Sequence, residues 1–168
     1  MIISWKEDAN IFPISQEYTK FGRTVNIIEL KADKNKNLLI GVDEAIAAVG
    51  SGSSVNNPTT SGNEGVVFIF KRDSDGTWHE ETIIAPPTDS KGVYTSFGYS
   101  ISLWQSSILI AAASSQTGVV FSYERVVTTS FYPDNGNQKL DWVAWNLIEI
   151  LYPADSSTGF GKHKNYYI

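Results

Sequence analysis

The chain has 168 residues, 42% of them apolar and 18% charged, with a formal net charge of −5 and no cysteine. That is the composition of one folded domain with its own core, not of a disordered tail. Thinly spread cations exclude a surface that tracks phosphates, so nucleic acid is not an expected partner, and the lack of cysteine removes disulfides, thiolate metal sites and a cysteine nucleophile.

The start, from Met1 to Asp8, has no basic stretch followed by an apolar one, so no secretory signal is expected. No apolar run approaches the roughly 20 residues of a membrane helix, and no membrane span is expected. In chain order, residues 1–20 carry one orphan outer strand around Ile11. Four apolar runs of strand length follow at 21–30, 38–42, 66–70 and 82–85, making one unit over residues 21–96. Four more at 97–103, 108–113, 119–123 and 146–151 make a second unit over 97–159, and a further first strand opens at Phe160 within 160–168.

No window shows a convincing 3.6-residue apolar period, while β-branched and aromatic residues fill the runs, which predicts an all-β protein with little helix. Asp75-Gly76, between the third and fourth runs, predicts a hairpin turn and hence consecutive antiparallel strands. The runs 66–70 and 108–113 are apolar at every position, so both faces of those strands need cover, as when small sheets stack face to face. Residues 47–65, rich in Gly, Ser, Asn and Thr, predict a long flexible loop. Residues 127–141 predict a second insertion between strands.

One pattern recurs three times: a tryptophan, a proline eight positions later, then Phe-Gly. It runs from Trp5 through Pro13 to Phe21-Gly22, from Trp78 through Pro86 to Phe97-Gly98, and from Trp145 through Pro153 to Phe160-Gly161. Self-similarity at this spacing marks tandem units that bury apolar surface against one another. The three tryptophans are expected to wedge between units, and the Phe-Gly pairs to serve as turn and packing elements.

The stretch from Val66-Val67-Phe68-Ile69-Phe70 to Trp78, followed by Phe97-Gly98-Tyr99-Ser100-Ile101-Ser102-Leu103 and Ile108-Leu109-Ile110-Ala111-Ala112-Ala113, resembles the FG-GAP repeat of integrin-alpha-like β-propellers. The segment 118–125 repeats the strand after the "GAP" position. That tripeptide itself is replaced by Ala111-Ala112-Ala113 and, in the first unit, by Gly41-Val42-Asp43. The resemblance implies propeller blades of four antiparallel strands: two complete blades with flanking strands, too few to close a ring of roughly 4 to 8 blades. It also implies extracellular or surface display, on a cell or virion, and association with a protein partner or with copies of itself as a homo-oligomer.

Many members of that family bind calcium through an aspartate-rich loop, and no complete loop of that kind is present. Asp73 and Asp75, and Asp134 with Asp141, are weak calcium candidates whose simpler explanation is turn formation, since Ca²⁺ takes six to eight converging oxygens. No cofactor is expected. Neither His79 nor His163 has metal-ligand spacing to other residues, and no G-x-S-x-G elbow occurs, so a non-catalytic binding module is expected ahead of a hydrolase. Paired acids such as Glu80-Glu81 point to opposite faces of a strand and do not converge as glycosidase carboxylates would. Trp104, Tyr132 and Trp142 lie outside the recurring pattern and are the candidate ligand platforms, for a protein or, in the alternative reading, a glycan.

Overall fold

A computed structural model describes residues 18–30, 44–54, 65–73, 75–87, 94–114, 118–131 and 139–154. All of its regular structure is β. The strands are β1 (Tyr18–Leu30), β2 (Glu44–Ser54), β3 (Val66–Arg72), β4 (Trp78–Ile84), β5 (Tyr94–Trp104), β6 (Ser107–Ser114), β7 (Val119–Phe131) and β8 (Lys139–Leu151). They form two antiparallel meanders, β1-β2-β3-β4 and β5-β6-β7-β8, as expected for two four-stranded blades. There is no helix among the described residues, and so none long and apolar enough to cross a membrane.

The two sheets are the same unit twice, down to their irregularities. Thr24 lies opposite Gly50 and Ser100 opposite Ala111; Val67 lies opposite Gly50 and Val120 opposite Ala111; Phe68 lies opposite Ile83 and Phe121 opposite Ile150. Each unit carries a bulge at its Phe-Gly pair, and each carries another in its third strand pair, at Ile69/Phe70 and at Ser122/Tyr123. Gly22 and Gly98 share a φ of +82°, a value open to glycine. The first two Phe-Gly pairs therefore sit at bulges inside β1 and β5, where a strand changes direction, instead of in turns, and Phe160-Gly161 lies outside the described residues.

Stacking of one sheet on the other forms the main core. From the first sheet it takes Ile46, Ala48, Val67, Ile69 and Ile84; from the second it takes Phe97, Ile108, Ile110, Ala112, Val119, Phe121 and Tyr123, with Trp145 packed against it. Each of the larger side chains contributes about 1.5–3 kcal/mol on leaving water. The far side of the first sheet holds a second buried cluster of Ala47, Val49, Val66, Phe68 and Phe70, joined by Phe21 and Trp78. Phe21 meets Phe68 edge-on at 5.2 Å, and Phe97 meets Phe121 at 5.3 Å, another correspondence between the units. Trp78 and Trp145 thus occupy one place in two copies, as their recurrence implied; Trp5 lies outside the described residues.

The sheets touch backbone to backbone. β5 lies against β2, flanked by β1 and β3. A Cβ on Gly50 would collide with the Gly98 carbonyl oxygen, and one on Gly98 would sit 3.0 Å from Val67 Cγ2. The Thr24 hydroxyl donates to that same Gly98 carbonyl at 2.8 Å.

Four expectations are corrected. Residues 47–54 belong to β2 and not to a loop; their small side chains suit a strand that lies in close contact with another sheet. The register also moves the tripeptide position of the first unit: Gly50-Ser51, not Gly41-Val42-Asp43, is the counterpart of Ala111-Ala112. The strand expected at 38–42 and the Gly41-Val42-Asp43 segment lie outside the described residues. Finally, 127–141 is no simple insertion: β7 continues to Phe131, β8 begins at Lys139, and Val127 pairs with Val143 in a two-stranded arm beyond the end of β6. β4 likewise starts at Trp78, earlier than the apolar run suggested, because its polar residues belong to an edge strand.

Candidate binding face on the second sheet

The stacked arrangement gives each sheet two sides of known type. The side of the first sheet that meets the second presents Thr24, Ile28, Ile46, Ala48, Gly50, Val67, Ile69 and Ile84. By register, the corresponding positions on the far side of the second sheet are Ser100, Trp104, Ser107, Leu109, Ala111, Val120, Ser122 and Leu151. No described strand covers this second set. Trp104 is 69% exposed and Leu109 40% exposed, where Ile28 is packed against the core and Ala48 is fully buried. The expectation that 108–113 would be covered on both faces therefore fails at Leu109.

Three of the many changes between this face and the contact face it copies bear on what could dock there. Ala111 stands where Gly50 admits a neighbouring backbone, Ser122 stands where Ile69 is fully buried, and Ile148, in the β8 bulge, stands where Glu81 occupies the β4 bulge. Glu81 is the acceptor of a buried ion pair: Arg125 Nη2 donates to Oε1 at 2.6 Å and Nε to Oε2 at 3.3 Å, with both side chains 8% exposed. An aliphatic Ile148 offers no such acceptor.

The exposed apolar surface continues along the β7–β8 arm. Val126 and Trp142 are exposed on this side, with Ile148 nearer the sheet, while Val127 and Leu147, paired with Val143 and Tyr123, are exposed on the opposite side. Trp142 pairs with Thr128 and Ala144 with Val126, so these four share the outer side of the arm. A two-stranded ribbon has little independent stability in water. Of the candidate platforms, Trp104 and Trp142 are both solvent-facing, and they stand toward the same end of the sheet but on its two opposite edge strands, β5 and β8; Tyr132 lies outside the described residues.

The aspartate candidates resolve as hairpin chemistry. The Asp73 amide donates to the Thr77 carbonyl and the Gly76 amide to the Asp73 carbonyl, both at 2.9 Å. The Asp75 carboxylate accepts the Thr77 amide at 2.8 Å, and that bond holds its carboxyl below the usual range. Asp73 Oδ2 lies 3.2 Å from His79 Nδ1, with both side chains about half exposed. Among the described residues no group of three or more His, Asp or Glu is placed to hold a metal. Asp141 is part of β8, opposite Thr129, and Asp134 lies outside the described residues, as does His163. Glu80 and Glu81 point apart as expected, Glu81 to Arg125 and Glu80 to the far side with Phe70.

Sequence reasoning missed Glu81, Arg125, Leu109 and Ile148. The available signal was the repeat itself: aligning Val66–Arg72 with 119–125 superimposes Arg72 on Arg125 and reveals the Ile69 to Ser122 change. No protein-family model matches the chain, and neither a curated protein nor a solved structure matches it.

Proposed function

We propose that the chain is a segment of an FG-GAP-type propeller that works as a non-catalytic binding and assembly module, engaging a protein partner or a second copy of itself through the far side of its second sheet. The observation that carries this is the register copy of a buried sheet-to-sheet contact face left exposed, with Trp104, Leu109 and Ile148 in contact positions. Exposed aromatic and aliphatic residues over serines and acids suit a protein interface, in which a few anchors carry most of the energy. Ala111, Ser122 and Ile148 fit an occupant, whether a partner or a second copy, that seats differently from the way the two sheets of this chain meet. Display at a cell or virion surface follows from the family resemblance alone.

Light scattering on the intact chain, with Leu109→Asp and Trp104→Asp variants, tests the reading. Self-association above the 18.5 kDa monomer mass that is lost in both variants is the expected outcome. A monomer at high micromolar concentration removes the second-copy branch. The glycan alternative rests on the exposed indoles of Trp104 and Trp142. Glycan-array binding abolished by Trp104→Ala or Trp142→Ala would favour it.

A further inference from the structure

The β7–β8 arm has no counterpart in the first unit. There β3 ends at Arg72, and a tight turn through Asp73 and Gly76 leads straight into Trp78; in the second unit the equivalent strands run on from Arg125 to Phe131 and return from Lys139 to Trp145. β6 does not follow them. The Arg125 amide donates to the Ser106 carbonyl at 2.7 Å, and past that bond no strand lies beside β7 on this side among the described residues. N–H and C=O groups alternate sides along an antiparallel strand, so Val127, Thr129 and Phe131 turn theirs the way Arg125 does, away from β8. Residues Val126 to Phe131 form an open edge.

This edge lacks protection. A free strand edge is a template for pairing with another chain, and proteins blunt it with charges, prolines or bulges. β1, β4 and β8 carry charged residues, and β5, which has none, is interrupted by positive φ at Ser96 and Gly98. Val126-Val127-Thr128-Thr129-Ser130-Phe131 has no charge, proline, glycine or bulge. Val126 and Val127 are 39% and 44% exposed.

We propose that this edge joins two copies of the chain, β7 to β7, antiparallel about a two-fold axis perpendicular to the ribbon. Charge decides the occupant. The chain has a net charge of −5, and the same symmetry applied to β4, with its adjacent Glu80 and Glu81, would bring acids of the two copies together, whereas the β7 edge sets neutral residues against neutral residues. A two-fold axis also makes an edge its own complement, since the donors and acceptors of Val127, Thr129 and Phe131 meet the same groups running the other way. Two ribbons, each of little stability alone, become one sheet of four strands in the order β8-β7-β7-β8. The edge is a different surface from the far side of the second sheet and extends the binding function proposed above.

Sedimentation velocity on the full chain at high micromolar concentration is the test. Twice the 18.5 kDa of one chain is expected, and Thr129→Pro should return the monomer. Proline there deletes a donor on the open edge and leaves the β7–β8 ladder intact, so the thermal midpoint should stay within about 5 °C of the parent. Thr129→Lys, which keeps every backbone donor and supplies the missing charge, should also return the monomer, and it covers the case of a proline that disturbs the arm. Thr129→Val should keep the dimer. A parent that stays monomeric, or a dimer that survives both Thr129→Pro and Thr129→Lys, overturns the proposal. Such a surviving dimer, if lost in Leu109→Asp, leaves the far-side reading standing; loss at Thr129 with none in Leu109→Asp assigns the contact to the edge and takes the second copy away from the far side.

Discussion

Arg125 and Glu81, 44 residues apart in sequence, meet in a two-bond pairing across the gap between the sheets, each almost entirely removed from water. Removing only one partner leaves a buried charge with nothing to answer it. Glu81→Ala or Arg125→Ala is expected to cost about 3–5 kcal/mol in urea unfolding, whereas the apolar pair Glu81→Leu with Arg125→Met should fall within a few kcal/mol of the parent or exceed it. A double variant as unstable as the worse single one would refute this account.

The glycine at the Phe-Gly bulge has different surroundings in the two units. Gly22 and Gly98 share φ +82°, but nothing lies within 4 Å of a Cβ built on Gly22, while Gly98 is hemmed in by Val67 and the Val66 carbonyl. Gly22→Ala should cost about 1–2 kcal/mol from backbone strain alone, and Gly98→Ala about 1–3 kcal/mol more from crowding. Equal thermal midpoints for the two variants would show that the second sheet does not rest on this point.

Burial pushes the Tyr123 hydroxyl from its ordinary value near 10 up to about 12. Below pH 10 the phenol is protonated whether the chain is folded or not, so its contribution to stability is intact there. From pH 10 toward 12 the unfolded chain loses the proton first, and stability falls as pH rises. The drop between pH 9 and 11.5 in guanidinium unfolding should be smaller in Tyr123→Phe; an identical drop would assign the effect to other groups.

Tryptophans inside and outside the recurring pattern should behave differently. Trp145 packs against the main core and Trp142, three residues earlier, is 64% exposed. Trp145→Ala is expected to cost about 3 kcal/mol, at the low end for such truncations because the side chain is only partly buried. Trp142→Ala should stay within about 0.5 kcal/mol of the parent. Chemical unfolding of the two variants side by side decides it.

Strands at Val66–Arg72, Ser107–Ser114 and the start of β7 were legible because short runs of apolar residues, 66–70, 108–113 and 119–121, stand there between polar ones. β2 was hidden by the feature that makes it work. Its Ala, Gly and Ser residues have low strand preference and resemble a loop in composition, yet only small side chains let β5 lie so close. The β7–β8 arm was hidden because the repeat suggested short strands, although Val126-Val127-Thr128-Thr129 is itself a β-branched run. The exposed face followed from neither composition nor spacing. It needed the register, which shows which residue replaces which contact.

The joint between the sheets has one setting. Because main chain meets main chain at Gly50 and Gly98, with no side chain between them to change rotamer, the spacing of the two sheets at that point is set by backbone contact and not by the exchange of one aliphatic group for another. Whatever docks on the far side of the second sheet would therefore meet a plate whose seating was fixed on the opposite side, one sheet thickness away.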